Sequence, residues 1–168
     1  MKQGQILTTL LMLGFLFFGF QITELSANTT HTEPTIQYFD ENNQPIFPYS
    51  QDILKEYQNV NNQISNWNIY YLSKTKFTYQ IWVASGRYFR NPGTVILNAN
   101  NTVRSAITIK AYDGSKLAGS ASLSSGWIGS ISVPFSHLPR GKSYRFQLQN
   151  NTHNSTVNLT GGELWYGN

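Results

Sequence analysis

The chain has 168 residues, 12 Lys plus Arg against 8 Asp plus Glu, and no cysteine. Disulfide scaffolds, Cys-ligated zinc and thiol catalysis are thereby excluded. Charged residues make up 12%, against about a quarter in an ordinary globular domain, while Tyr, Phe and Trp together reach 14%.

Lys2 is followed by an apolar run from Ile6 to Phe20 and then by Leu25-Ser26-Ala27. This is the layout of a secretory signal peptide with a small residue at the cut. The run contains Thr8, Thr9, Gly14 and Gly19 and is short for a bilayer span. The expectation is a secreted protein whose signal peptide, residues 1–27, is cleaved near Ala27. The remaining 141 residues suffice for one hydrophobic core. An exported chain of this size without cysteine fits a Gram-positive bacterium better than an oxidising lumen, where small secreted domains are disulfide-dense.

Beyond the signal peptide the charge divides in two. Residues 28–66 carry five acids (Glu33, Asp40, Glu41, Asp52, Glu56) against Lys55, a net −4. Residues 67–168 carry ten bases against Asp113 and Glu163, a net +8. Either the acidic leader lies across the basic domain, or the basic domain attracts an anionic polymer or surface. Within the leader, Glu41-Asn42-Asn43-Gln44-Pro45 reads as a turn between short extended pieces. Ser50 precedes Ile53, Leu54, Tyr57, Val60 and Ile64, whose spacing predicts one amphipathic helix near 51–64 with Asp52 in its first turn. That stripe serves either to dock on the sheet core or to meet a partner.

Beyond Trp67 the periodicity changes to two. Phe77, Tyr79, Ile81 and Val83 alternate with Lys76, Thr78, Gln80 and Trp82. Ile107, Ile109 and Ala111 alternate with Thr108, Lys110 and Tyr112, and Tyr144, Phe146 and Leu148 with Arg145, Gln147 and Gln149. These are expected to be half-buried antiparallel strands. Asp113-Gly114 predicts a hairpin joining 104–112 to 115–123 through a type I′ turn. Ser136–Lys142 reads as a loop, Asn150–Asn154 as a tight connection, and Gly161-Gly162 as a kink that re-aims Trp165 or Tyr166. About eight strands at this spacing predict an all-β fold, an antiparallel β-sandwich of jelly-roll type over 67–168, with the one short N-terminal helix before it.

Material for catalysis is thin. A glycosidase needs two carboxyls about 5 to 10 Å apart, and the β-domain has only Asp113, placed at a turn, and Glu163, which follows two glycines. His31, His137 and His153 show neither HExxH nor His-x-His spacing, and no G-x-S-x-G elbow occurs in the serine-rich stretch from Gly119 to Ser132. No enzyme, metal or cofactor is expected.

Binding has better material. The chain carries more aromatic area than its core requires, and Trp82 and Tyr112 fall on the phase opposite the aliphatic residues. Exposed rings beside Asn and Gln suit sugar faces, and rings beside Arg suit anionic partners. Arg140, Lys142 and Arg145 cluster around one loop and strand start, and Arg87 and Arg90 flank Tyr88-Phe89. The candidate ligand-binding residues are Trp82, Arg87, Tyr88, Arg90, Tyr112, Arg140, Lys142, Arg145 and Trp165. The alternative for the aromatics is burial between sheets or under the helix, and for the cations plain solvation.

The run Leu138-Pro139-Arg140-Gly141-Lys142-Ser143-Tyr144-Arg145-Phe146-Gln147-Leu148-Gln149-Asn150, a short polar turn, and the terminal Leu159-Thr160-Gly161-Gly162-Glu163-Leu164-Trp165-Tyr166 resemble the closing hairpin of small secreted Gram-positive β-sandwich proteins. Residues 104–168 are also similar in outline to pre-peptidase C-terminal modules, in which a Pro-x-Gly-x-Tyr strand start precedes an Asn-containing turn. The resemblance implies a non-catalytic accessory or surface role and carries over no functional residue. The leading expectation is a secreted, non-enzymatic protein that binds cell-wall glycan, teichoic acid or an anionic membrane surface of the cell envelope or extracellular matrix, and not nucleic acid. A bacteriocin-like antibacterial or toxin is the second reading, and a small hydrolase the third.

Overall fold

The structure is a computed structural model that describes residues 34–46 and 66–168. The signal peptide expected over 1–27 and the helix expected near 51–64 lie outside the described residues. The described chain is all-β and antiparallel, as its two-residue periodicity dictates: β1 (Ile36–Phe39), β2 (Pro45–Ile46), β3 (Asn68–Leu72), β4 (Thr75–Phe77), β5 (Gln80–Trp82), β6 (Phe89–Arg90), β7 (Pro92–Val103), β8 (Ile107–Asp113), β9 (Lys116–Leu123), β10 (Trp127–Pro134), β11 (Ser143–Asn150), β12 (Val157–Leu159) and β13 (Gly161–Tyr166). Among the described residues no helix is long and apolar enough to cross a membrane.

The strands form a larger sheet in the order β2-β1-β9-β8-β11-β5 with β6 also paired to β11, a four-stranded sheet in the order β10-β7-β13-β3, and the isolated pair β12-β4. The pairings nest around one hairpin. β8 and β9 are joined by a two-residue turn, β7 pairs with β10 outside them, β11 returns to β5 and β6, and β13 pairs with β3.

One hydrophobic core draws on both sheets. Ile107, Ile109, Ala111, Ala121, Leu123, Tyr144, Phe146 and Leu148 enter it from the larger sheet, and Val95, Leu97, Val133 and Leu164 from the smaller. Phe89 sits at the centre, with ring centroids 5.4 Å from Tyr70, 5.1 Å from Tyr166 and 6.5 Å from Phe146, and Phe135 lies 5.1 Å from Phe146. Each Phe buried in this way contributes about 1.5–3 kcal/mol, with roughly 1 kcal/mol more for each tilted ring pair. Trp127 also belongs to the core.

Local details differ from the periodicity. The β8–β9 hairpin pairs Asp113 with Lys116, so the turn residues are Gly114 and Ser115, and only Gly114 has positive φ (64°). That is the type II′ pattern with glycine first, in place of the expected I′. The run from Lys76 to Val83 is two strands in two different sheets, broken at Thr78-Tyr79. Gly161-Gly162 does not kink a strand but opens β13 where the chain leaves the β12–β4 pair. A Cβ on Gly162 would fall against the Ile96 carbonyl oxygen, so the backbones of β13 and β7 approach there as only glycine permits. The irregularity in the β13–β7 register falls later, between Trp165 and Tyr166. The predicted turn at 41–45 is present: the Asp40 carboxylate accepts from the backbone N–H of Asn42 (2.9 Å) and Gln44 (2.7 Å), with Asn43 at φ 61°. β1, on the near side of that turn, pairs with β9 from Ile36↔Leu123 to Phe39↔Ser120.

Candidate functional site

The edge of the larger sheet is built to hold one arginine. β5 pairs with β11 up to Trp82↔Gln147, and β6 resumes at Phe89↔Tyr144. Six residues, Val83–Tyr88, therefore stand opposite two, Arg145 and Phe146. The excess is taken up by a tight 3-10 turn, Val83–Gly86, in which Ala84 (φ 49°), Ser85 (φ 55°) and Gly86 (φ 86°) are all left-handed. Consecutive left-handed non-glycine residues are strained by roughly 1–2 kcal/mol each, so the surrounding contacts hold this shape against the local preference. The interruption also removes a continuous sheet edge on which a second chain would pair.

Arg145 sits in the notch thus made. Phe146 on the same strand points into the core, and the pleat turns Arg145 the other way. Its guanidinium lies 4.8 Å from the Trp82 ring centroid and 5.4 Å from that of Tyr88, so rings from both ends of the interruption meet one cation. Tyr112, the register partner of Arg145 on β8, packs 5.4 Å from Trp82. One guanidinium nitrogen donates to the Gly114 carbonyl at the hairpin turn, while Nε is buried without a hydrogen-bond partner. Trp82 and Tyr112, expected on the surface, are half-buried because they shield each other. Tyr88 is exposed.

Charge extends from this cluster. Lys142 forms a 2.8 Å ion pair with Asp113, the residue before Gly114, and the hydrogen bond and charge of Asp113 raise its ammonium pKa above the ordinary lysine range. Tyr144 donates to the Pro139 carbonyl (2.8 Å), and burial raises its phenol pKa. Arg90 is exposed on β6, paired in register with Ser143.

The other candidates lie elsewhere. Arg87 turns to the smaller sheet, its guanidinium 5.5 Å from the Phe89 ring and 5.9 Å from that of Tyr166, and it donates to the Tyr166 hydroxyl (3.3 Å). Arg140 lies 5.9 Å from the Trp67 ring and donates to the Pro92 carbonyl (3.2 Å). Trp165 is on the outward phase of β13, its indole N–H donating to the Glu163 carboxylate (2.6 Å). The structure thus joins Trp82, Tyr88, Tyr112 and Arg145, with Lys142 attached through Asp113, and separates Arg87, Arg140 and Trp165 from them.

Asp113 and Glu163 belong to strands of different sheets, and each carboxylate is engaged by its own neighbour. Among the described residues no three His, Asp or Glu side chains gather as a metal site would require. His137 packs 5.4 Å from both Tyr38 and Phe135, with both ring nitrogens buried and unpartnered, and burial lowers its pKa to about 4.

The residue missed in the sequence is Tyr79. Periodicity assigns it to the inward phase with Phe77 and Ile81, yet it is 80% exposed, because it lies in the break between β4 and β5, where no strand pleat directs its side chain. No family model, curated protein or solved structure matches the chain.

Proposed function

We propose that the protein is a secreted, non-catalytic β-sandwich of jelly-roll type that binds a phosphate-rich anionic polymer of the Gram-positive cell envelope at the Arg145 cluster. The jelly-roll reading is supported by the nested pairings β8–β9, β7–β10, β11 with β5 and β6, and β13–β3, distributed over two sheets that share a core. Teichoic acid is the favoured ligand over a neutral wall glycan or a membrane surface.

The observation that carries this reading is the guanidinium of Arg145 held over two aromatic rings, 4.8 and 5.4 Å from their centroids. Rings fix the guanidinium plane and exclude water from part of it, which strengthens its attraction for an anion, and the N–H groups that the Gly114 carbonyl does not take are the ones to meet a phosphate oxygen. Arg90 adds positive potential beside it, the charge of Lys142 being taken up by Asp113, and Tyr88 offers an exposed ring. A non-catalytic role is supported by the separation of Asp113 from Glu163 and by their local partners.

Sedimentation of the purified protein with Gram-positive cell walls tests the proposal. Stronger retention on walls that carry teichoic acid, and a clear fall when the polymer is extracted, is the expected result. Equal retention on extracted walls would shift the ligand to glycan, and binding only to vesicles of anionic lipid would shift it to the membrane; either outcome contradicts the proposal.

A further inference from the structure

A second concavity lies where the break at Thr78-Tyr79 faces the loop after β11. It has a volume of about 740 Å³ and is walled by Thr78–Gln80 on one side and Gln149–Thr156 on the other. That size falls within the range of roughly 300–1,000 Å³ usual for small-ligand clefts.

Its frame is fixed by hydrogen bonds. The Asn150 side-chain amide donates to the carbonyls of Thr78 (2.9 Å) and Ser155 (3.0 Å), its side-chain oxygen accepts from the Thr152 N–H (2.9 Å), and its own backbone N–H donates to the Tyr79 carbonyl (2.7 Å). One residue therefore ties the two walls together. Asn151 anchors the loop to β8 through Thr108 (2.6 Å), and Thr152 accepts from the Ala106 N–H (3.2 Å). A ligand meeting this groove does not have to order it.

The lining contains no Asp, Glu, Lys or Arg. What it presents are amides and hydroxyls, the imidazole of His153, and the ring of Tyr79, which is 80% exposed. A large exposed ring beside the uncharged amides of Gln80, Gln149 and Asn154 matches a ligand with an apolar C–H face and a rim of hydroxyls. We infer that this groove binds a neutral oligosaccharide, with Tyr79 as the platform under one sugar ring. With no carboxyl in the lining, the groove has the material for binding and not for hydrolysis by paired acids. The inference stands apart from the polyanion reading, because it uses different residues and a ligand without charge.

Titration calorimetry with chitotetraose, cellotetraose and maltotetraose, at low and at high salt, is the test. At least one should bind with a Kd of about 1 mM or tighter, independent of salt. Tyr79→Ala should weaken that binding about tenfold or more, and with the ring so exposed the fold is not at stake. Asn154→Gly, at a position with φ 58°, removes a carboxamide while keeping the backbone, and should weaken binding less. In the unaltered protein, amide shifts on titration should concentrate at 78–80 and 149–156. Absence of binding by all three sugars, unchanged affinity in Tyr79→Ala, or shifts centred elsewhere would overturn the inference. Failure of the wall-polymer proposal would leave these titrations untouched, and the reverse also holds.

Discussion

The guanidinium of Arg145 lies 4.8 Å from the ring centroid of Trp82, and the two residues sit on paired strands at the point where the edge strand is interrupted. The contact joins sheet, strained turn and hairpin end in one place. Arg145→Lys keeps the charge but loses the planar face and the bond to the Gly114 carbonyl. A several-fold fall in wall-polymer affinity is expected, with a stability loss of about 1 kcal/mol. Urea unfolding and wall sedimentation on the same preparation measure both, and unchanged affinity would leave charge alone as the determinant.

The strained turn gives a prediction with an unusual sign. Glycine normally destabilises a folded chain, but at Ala84 (φ 49°) the backbone is already where glycine rests. Ala84→Gly is expected to raise stability by roughly 0.5–1 kcal/mol. A lower urea midpoint than in the parent would show that the turn is relaxed with alanine in place.

Gly162 is expected to resist any side chain. A Cβ there meets the Ile96 carbonyl oxygen on the neighbouring strand, a backbone atom that cannot swing aside. Gly162→Ala should cost about 2 kcal/mol or more, while Gly126→Ala, with nothing near its Cβ, pays only for its φ of 96°. Thermal melts of the two variants rank them, and equal losses would rule out the close approach as the cause.

His137 makes the fold sensitive to acid. Burial lowers its pKa from 6.5 to about 4, so well above pH 6.5 the ring is neutral whether folded or not and its titration does not affect stability. As pH falls from 6.5 to 4, the unfolded chain takes up a proton that the fold does not, and stability drops, by about 2 kcal/mol once partial solvation of the ring is allowed for. Below 4 this contribution levels off. His137→Leu should shrink the difference between urea midpoints at neutral and acid pH, and an undiminished difference would assign the sensitivity to the carboxylates.

Much of the architecture was legible because burial on one face imposes a period of two. Ile107, Ile109 and Ala111 and Tyr144, Phe146 and Leu148 all point inward as that period requires. The turn at 41–45 and the β8–β9 hairpin were legible because Asp, Asn and Gly have strong local preferences. The break at Thr78-Tyr79 was not, since an alternating run does not reveal that its two halves pair with different strands, and Tyr79 was assigned to the wrong face for that reason. Among the nine candidate residues, the sequence marked Trp82 and Tyr112 by phase and Arg145 by its nearness to Arg140 and Lys142 in the chain. What it could not convey is that Arg87 and Tyr88, adjacent in the chain, turn to different sheets, because the side-chain directions there depend on the left-handed turn preceding them.

The salt dependence of binding to soluble wall teichoic acid, measured for the parent and for Arg145→Gln, addresses the central claim most directly. The account predicts that the parent's affinity falls steeply as salt rises, and that Arg145→Gln binds more weakly at low salt with a shallower slope. Parent affinity that is flat across the salt range, or an Arg145→Gln curve superimposable on the parent's, would contradict it.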